Sequence, residues 1–91
     1  MTACVMYLQF EFIDVRSLKG RRSIINSLKE QLKTFNISVL DISSEYPKEA
    51  MLAIAFLSPN ALMAAKYRQQ IETMIEKKFP EWPCEIEYEE I

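Results

Sequence analysis

Histidine is absent from this 91-residue sequence, which removes the commonest metal ligand and the side chain best suited to general-base work near neutral pH. Cysteine is scarce. Cys4 and Cys84 stand eighty positions apart with no thiol beside either, so neither a zinc knuckle nor a CxxC redox pair can be drawn. Both read as small apolar core residues that stay unpaired. One glycine and four prolines, with no low-complexity run, argue against a disordered arm or flexible linker. No apolar stretch approaches the ~20 residues that span a bilayer. The first residues lack the basic, apolar and small-residue order of a secretory signal. These absences predict a cytoplasmic protein without membrane contact, metal or cofactor.

What remains is a chain that is 49% hydrophobic and 11% aromatic, enough for one domain over residues 1–91 and too short for two. Such a domain buries roughly 60–65% of its unfolded surface. The formal net charge of -2 speaks against indiscriminate binding to nucleic acid, yet the average hides a sorting of charge along the chain. Residues 16 to 33 carry Arg16, Lys19, Arg21, Arg22, Lys29 and Lys33 against Glu30 alone. Residues 81 to 91 carry Glu81, Glu85, Glu87, Glu89 and Glu90 with no base. A dipolar molecule is expected, basic on one surface and acidic on another.

Hydrophobic periodicity divides the chain into six elements. Val5 to Ile13 alternates, with Met6, Leu8, Phe10 and Phe12 on one side, and reads as a strand. Ser17 caps a helix in which Leu18, Ile25, Leu28, Leu32 and Phe35 mark an apolar face, ending near Phe35-Asn36. Ile37 to Ser44 reads as a second strand, and Pro47 turns the chain into a third over about Glu49 to Leu57. Ser58-Pro59-Asn60 starts a second helix, with the Ser58 hydroxyl as cap and Pro59 at the first helical position. Leu62 or Met63, Tyr67, Ile71, Met74 or Ile75, and Phe79 mark its buried face. Cys84 to Ile91 alternates as a final strand, with Ile86 and Tyr88 inward and Glu85, Glu87 and Glu89 outward. The order βαββαβ predicts an α+β ferredoxin-like sandwich, a four-stranded antiparallel sheet with two helices on one face.

Ser17-Leu18-Lys19-Gly20-Arg21-Arg22 places positive charge in the first turn of a helix, where the backbone dipole already presents its positive end. Such a placement makes sense opposite a bound phosphate or an acidic partner. The same residues resemble the Ser-Leu-Lys-x-Lys-Arg signature of the YlxP-like family of small bacterial proteins, a domain of unknown function. Phe35-Asn36-Ile37-Ser38-Val39 is similar to that family's Phe-Asn-Val-Ser-Val strand entry, and Leu52 to Ser58 and the acidic end are similar to its later strands. The resemblance covers nearly the whole chain. It implies a ferredoxin-like fold and a gene context beside translation and ribosome-maturation factors, and it supplies no catalytic residues. Gly20 stands where the family commonly has a charged residue. Asp14-Val15 replaces its usual turn, and the hairpin near Tyr46-Pro47-Lys48 is shortened and lacks its tryptophan.

Geometry alone gives the first helix a second feature. At 100° per residue, Lys19, Arg22, Asn26, Lys29 and Lys33 fall within a sector of roughly 80°, beside the apolar face. This stripe is a solvated face, a phosphate-binding surface for RNA or a ribosomal particle, or a contact for an acidic protein. Arg21 falls inside the apolar sector and reads either as a structural residue pairing with Asp14, Asp41 or an end-strand glutamate, or as ligand-facing.

The sheet face opposite the helices is the other candidate surface. Val5, Tyr7, Ile37, Val39, Ala53, Ala55 and Leu57 are expected there, with Val5, Tyr7, Ala53 and Ala55 at the centre of a self-association face. The phase of the second strand stays open, because Ile37 and Val39 compete with Leu40 and Ile42. One tyrosine within a glutamate rim does not make an RNA-stacking sheet. No catalytic constellation emerges: the glycine-rich phosphate loop of the acylphosphatases, which share this element order, has no counterpart in Asp14 to Leu18. Glu11 with Asp14, or Asp41 with Glu45, is a spacing that arises freely among 13 acids. The expectation is a non-catalytic binding module, either an RNA- or ribosome-associated accessory factor working through its first helix or a homo-oligomer built on the open sheet face.

Overall fold

Alternation along the first strand sets the architecture. Cys4, Met6, Leu8 and Phe10 are fully buried while Val5, Tyr7, Gln9 and Glu11 point away from them. In the computed structural model, which describes residues 1–91, the elements are β1 (Thr2–Glu11), α1 (Leu18–Leu32), β2 (Ser38–Asp41), β3 (Glu49–Ser58), α2 (Ala61–Lys78) and β4 (Cys84–Glu90). The sheet runs β2-β3-β1-β4 with every neighbouring pair antiparallel, which is the ferredoxin-like arrangement. Both helices pack on the same sheet face. Ile25, Leu28 and Leu32 of α1 and Ala64, Ile71 and Ile75 of α2 share one core with Met6, Leu8, Phe10, Leu52, Ile54 and Phe56.

Ser17 caps α1 as its hydroxyl accepts from the Gly20 amide at 3.1 Å. The helix ends at Leu32 rather than near Phe35: the amides of Thr34 and Phe35 tighten into turn-like bonds to the carbonyls of Gln31 and Leu32, and Phe35 closes the core from that turn. At α2 the expected cap is corrected. Asn60 is the N-cap, its side chain accepting from the Met63 amide at 2.9 Å. Pro59 therefore precedes the helix, and the buried Ser58 hydroxyl donates to the Asn60 carbonyl at 2.8 Å. The buried face of α2 passes through Ala64, and Leu62 is 80% exposed. A small residue serves there because the helix lies close to the sheet; hydropathy favours the larger side chain and misses the position.

The second strand is shorter than expected, and its phase is the reverse of the assignment that put Ile37 and Val39 on the open face: both pack on the core. Val39 lies opposite Ile54 and packs on the core, while Leu40 lies opposite Ala53 on the open face. At the sheet's other end, Phe12 meets Trp82 edge to face at 5.2 Å, and Phe79 stacks on Trp82 at 6.1 Å. This aromatic group seals the core where β1 leaves and β4 enters.

Candidate polyanion-binding surface

Two contacts fix where α1 sits. Arg21 Nη1 donates to the carbonyl oxygens of Tyr46 and Glu49, at 2.7 and 3.0 Å, tying the first turns of α1 to the β2–β3 hairpin. Lys29, two turns further on, acts electrostatically on Asp41 at the end of β2. The second helix lies over the other half of the sheet, with the Arg68 guanidinium 4.3 Å from the centre of the Tyr88 ring. The sheet thus has a basic helix above its β2 side and the glutamate-rich β4 at its opposite edge.

Along α1, Lys19, Arg22, Asn26 and Lys33 are exposed and Lys29 is half-buried. The stripe spans about 21 Å at 1.5 Å per residue. No acidic residue occupies the first turn, so nothing on the helix offsets the positive end of its dipole there. Glu30 borders the stripe one turn from Asn26, and Asp41 at the end of β2 lies close enough to Lys29 for their charges to interact. Burial alone raises the Asp41 pKa, but the Ser43 hydroxyl and amide, which donate to Oδ1 at 2.6 and 3.0 Å, outweigh it together with the charges of Lys29 and Arg21. Its carboxyl is held below the ordinary value and stays ionised, so it offsets part of the charge of Lys29.

Arg21 is separated from the stripe. Its guanidinium satisfies backbone carbonyls rather than the carboxylate partners considered for it, Asp14, Asp41 and the end-strand glutamates. One guanidinium nitrogen thus donates to two carbonyls of the segment that joins β2 to β3, a structural use of the side chain.

On the reverse of the sheet, Val5, Tyr7, Ala53 and Ala55 do share the open face. Leu40 and Ile42 join them, at 63% and 42% exposure. Leu40, Ala53, Tyr7 and Glu87 form one row across the four strands, and Ile42, Met51, Gln9 and Glu85 form the next. The face therefore grades from apolar at β2 to acidic at β4. Sequence could have found Leu40 and Ile42 only through the register with β3, since both residue pairs of β2 are equally apolar.

Similarity to known proteins agrees with the fold. The family described as "Protein of unknown function (DUF503)" matches residues 3–87. The chain belongs to this family. No curated protein matches it. Among solved structures, the de novo designed protein Foldit4 is similar with a TM-score of 0.58 at 13% identity, covering 96% of each chain, a likeness that concerns the fold alone. No helix is long and apolar enough to cross a membrane.

Proposed function

We propose that this DUF503 protein is a non-catalytic accessory factor that binds structured RNA through the α1 stripe. The observation that carries the reading is the alignment of Lys19, Arg22, Lys29 and Lys33 around Asn26 on one side of a helix whose first turn holds no acid. Four cations over about 21 Å suit the regular phosphates of a nucleic-acid backbone better than a single compact anion. The open sheet face, acidic along β4 and with Tyr7 as its one aromatic, lacks the paired stacking platforms that read unstacked bases. Backbone contact to a folded RNA follows, with little sequence preference. The gene context that the family resemblance implies, beside translation and ribosome-maturation factors, selects RNA over DNA.

Self-association through the open face is the competing reading, and charge speaks against it. In an aligned face-to-face packing, a two-fold axis across the strands sets the β4 glutamates of the two copies against each other. An axis along the strands lays them on Leu40 and Ile42.

The reading is tested by isolating the tagged protein at low salt, before and after nuclease treatment, and titrating it with an RNA duplex and a single strand of equal length. The proposal expects nuclease-sensitive co-purification of RNA and tighter binding to the duplex. Protein partners that survive nuclease, with no affinity for either RNA, would assign the stripe to an acidic protein.

A further inference from the structure

The open sheet face carries more apolar surface than its neighbours cover. Leu40 and Ile42 stand on it beside half-buried Met51, Ala53 and Tyr7. Between this apolar half and β4 lies a shallow concavity of about 210 Å³, walled by Ile42 and Met51 on one side and by Glu85 and Glu87 on the other, with Tyr7 and Gln9 between them. No lysine or arginine occupies the facing positions of β1, β3 or β4, so the glutamates have no cation of their own on this face. An occupant must therefore be apolar along one line and cationic along a parallel line two or three strands away, about 10–14 Å given the ~4.8 Å strand spacing.

We propose that the open face docks a basic amphipathic helix of a partner protein. Its apolar stripe would cover Leu40, Ile42 and Met51, and its flanking lysines or arginines would reach Glu85 and Glu87. A helix about 10–12 Å across, with long lysine or arginine side chains extending from its flank, spans that separation. The charge order on the face selects this occupant over a second copy of the chain. The sheet of a second copy brings glutamates, not cations. Its basic helix α1 also fails, because Ile25, Leu28 and Leu32, the apolar side of that helix, are already buried in its own core. The proposal uses none of the residues of the RNA reading and lies on the opposite side of the sheet from them. Together the two surfaces would let the protein hold a basic polypeptide and a folded RNA at once.

The test is a titration of the whole protein with three synthetic 18-residue helical peptides, followed by amide chemical shifts and fluorescence anisotropy. One has a leucine stripe flanked by lysines, the second a leucine stripe flanked by glutamates, and the third lysine and glutamine with no stripe. The expected result is saturable binding of the first peptide only, with shifts at Tyr7, Leu40, Ile42, Met51 and Glu87 and none along α1. The double variant Leu40→Ser, Ile42→Ser should weaken it about tenfold or more, the scale of losing two partly buried aliphatic contacts. Glu85→Gln with Glu87→Gln should weaken it several-fold at low salt and hardly at high salt. All these residues are solvent-facing, and circular dichroism checks that each variant folds. RNA affinity should be unchanged in both double variants, which separates this proposal from the first. Equal binding of the glutamate-flanked or stripeless peptide, no saturable binding by any peptide, or shifts confined to α1 would overturn it. So would a stable wild-type dimer in sedimentation that Leu40→Ser, Ile42→Ser splits, since a second copy would then be the occupant.

Discussion

Cys4 and Tyr88 meet across β1 and β4 with Sγ and Oη 3.2 Å apart, although 84 positions separate them in the chain. Tyr88 Oη also donates to Glu90 Oε1 at 3.1 Å. A phenol has one proton to give, and an ionised carboxylate can only accept, so the Cys4 thiol must be the donor to Tyr88. The result is a short relay from a fully buried thiol to a carboxylate at the sheet edge, covered by Arg68.

Burial pushes the Tyr88 phenol upward first, and its hydrogen bonds with Cys4 and Glu90 and the negative charge of Glu90 push it further. Because its folded pKa is raised, the stability this group contributes is complete below the ordinary phenol value near 10 and is lost as pH rises through the folded value. Wild-type stability, followed by urea denaturation, should therefore lose this contribution only above about pH 10. Tyr88→Phe should remove it throughout, at a cost of about 0.5–1.5 kcal/mol at neutral pH. An unchanged denaturation midpoint in Tyr88→Phe would show that the relay contributes nothing.

The two thiols should differ in reactivity and remain unpaired. Cys84 lies opposite Phe10 while Cys4 lies opposite Glu90, at the other end of the β1–β4 ladder, so no disulfide joins them. Burial, then Glu72 and Glu85, push the Cys84 thiol up to about 11. At pH 8 the thiolate is scarcer by roughly 100-fold than at an ordinary value near 9, and higher intrinsic nucleophilicity recovers part of that. Iodoacetamide should modify Cys84 about tenfold more slowly than a free thiol, faster in Glu72→Gln, and reach Cys4 only on unfolding. Mass spectrometry across a time course reads all three.

Arg21→Gln should destabilise the fold by about 1–2 kcal/mol, because two backbone carbonyls at the β2–β3 hairpin lose their charged donor. Its effect on RNA affinity should be small, since the guanidinium is held by the hairpin carbonyls rather than lying along the stripe. Hydrogen exchange should quicken first around Tyr46 to Glu49. A variant of wild-type stability that binds RNA tenfold more weakly would instead place Arg21 on the ligand.

Much of the fold is legible in the sequence. Strict alternation from Cys4 to Phe10 and from Cys84 to Tyr88 identifies β1 and β4, because a one-residue slip would bury Gln9 or Glu87. The stripe on α1 is legible too, since helical spacing alone aligns Lys19, Arg22, Lys29 and Lys33. The phase of β2 is not, because Val39 and Leu40 are both apolar in a four-residue strand and only the hydrogen bonds to β3 decide between them. Asn60 and Ser58 are equally good caps by composition, and the choice falls to Asn60 because Ser58 ends β3 in the core. The partners of Arg21 are hidden for a similar reason: charge pairing suggests a carboxylate, while the hairpin offers backbone carbonyls that composition does not display.

If the α1 stripe contacts an RNA backbone as proposed, a salt series on one variant should reveal it. Replacing Lys19, Arg22, Lys29 and Lys33 together with glutamine leaves Ile25, Leu28 and Leu32 untouched in the core, so the fold should persist. If each cation releases about one counterion, the slope of log affinity against log salt for an RNA duplex should fall in magnitude by about 3–4. Binding should weaken far more at low salt than at high salt. A quadruple variant that binds with the wild-type slope and affinity across the series would contradict the account and leave the stripe as a solvated helix face.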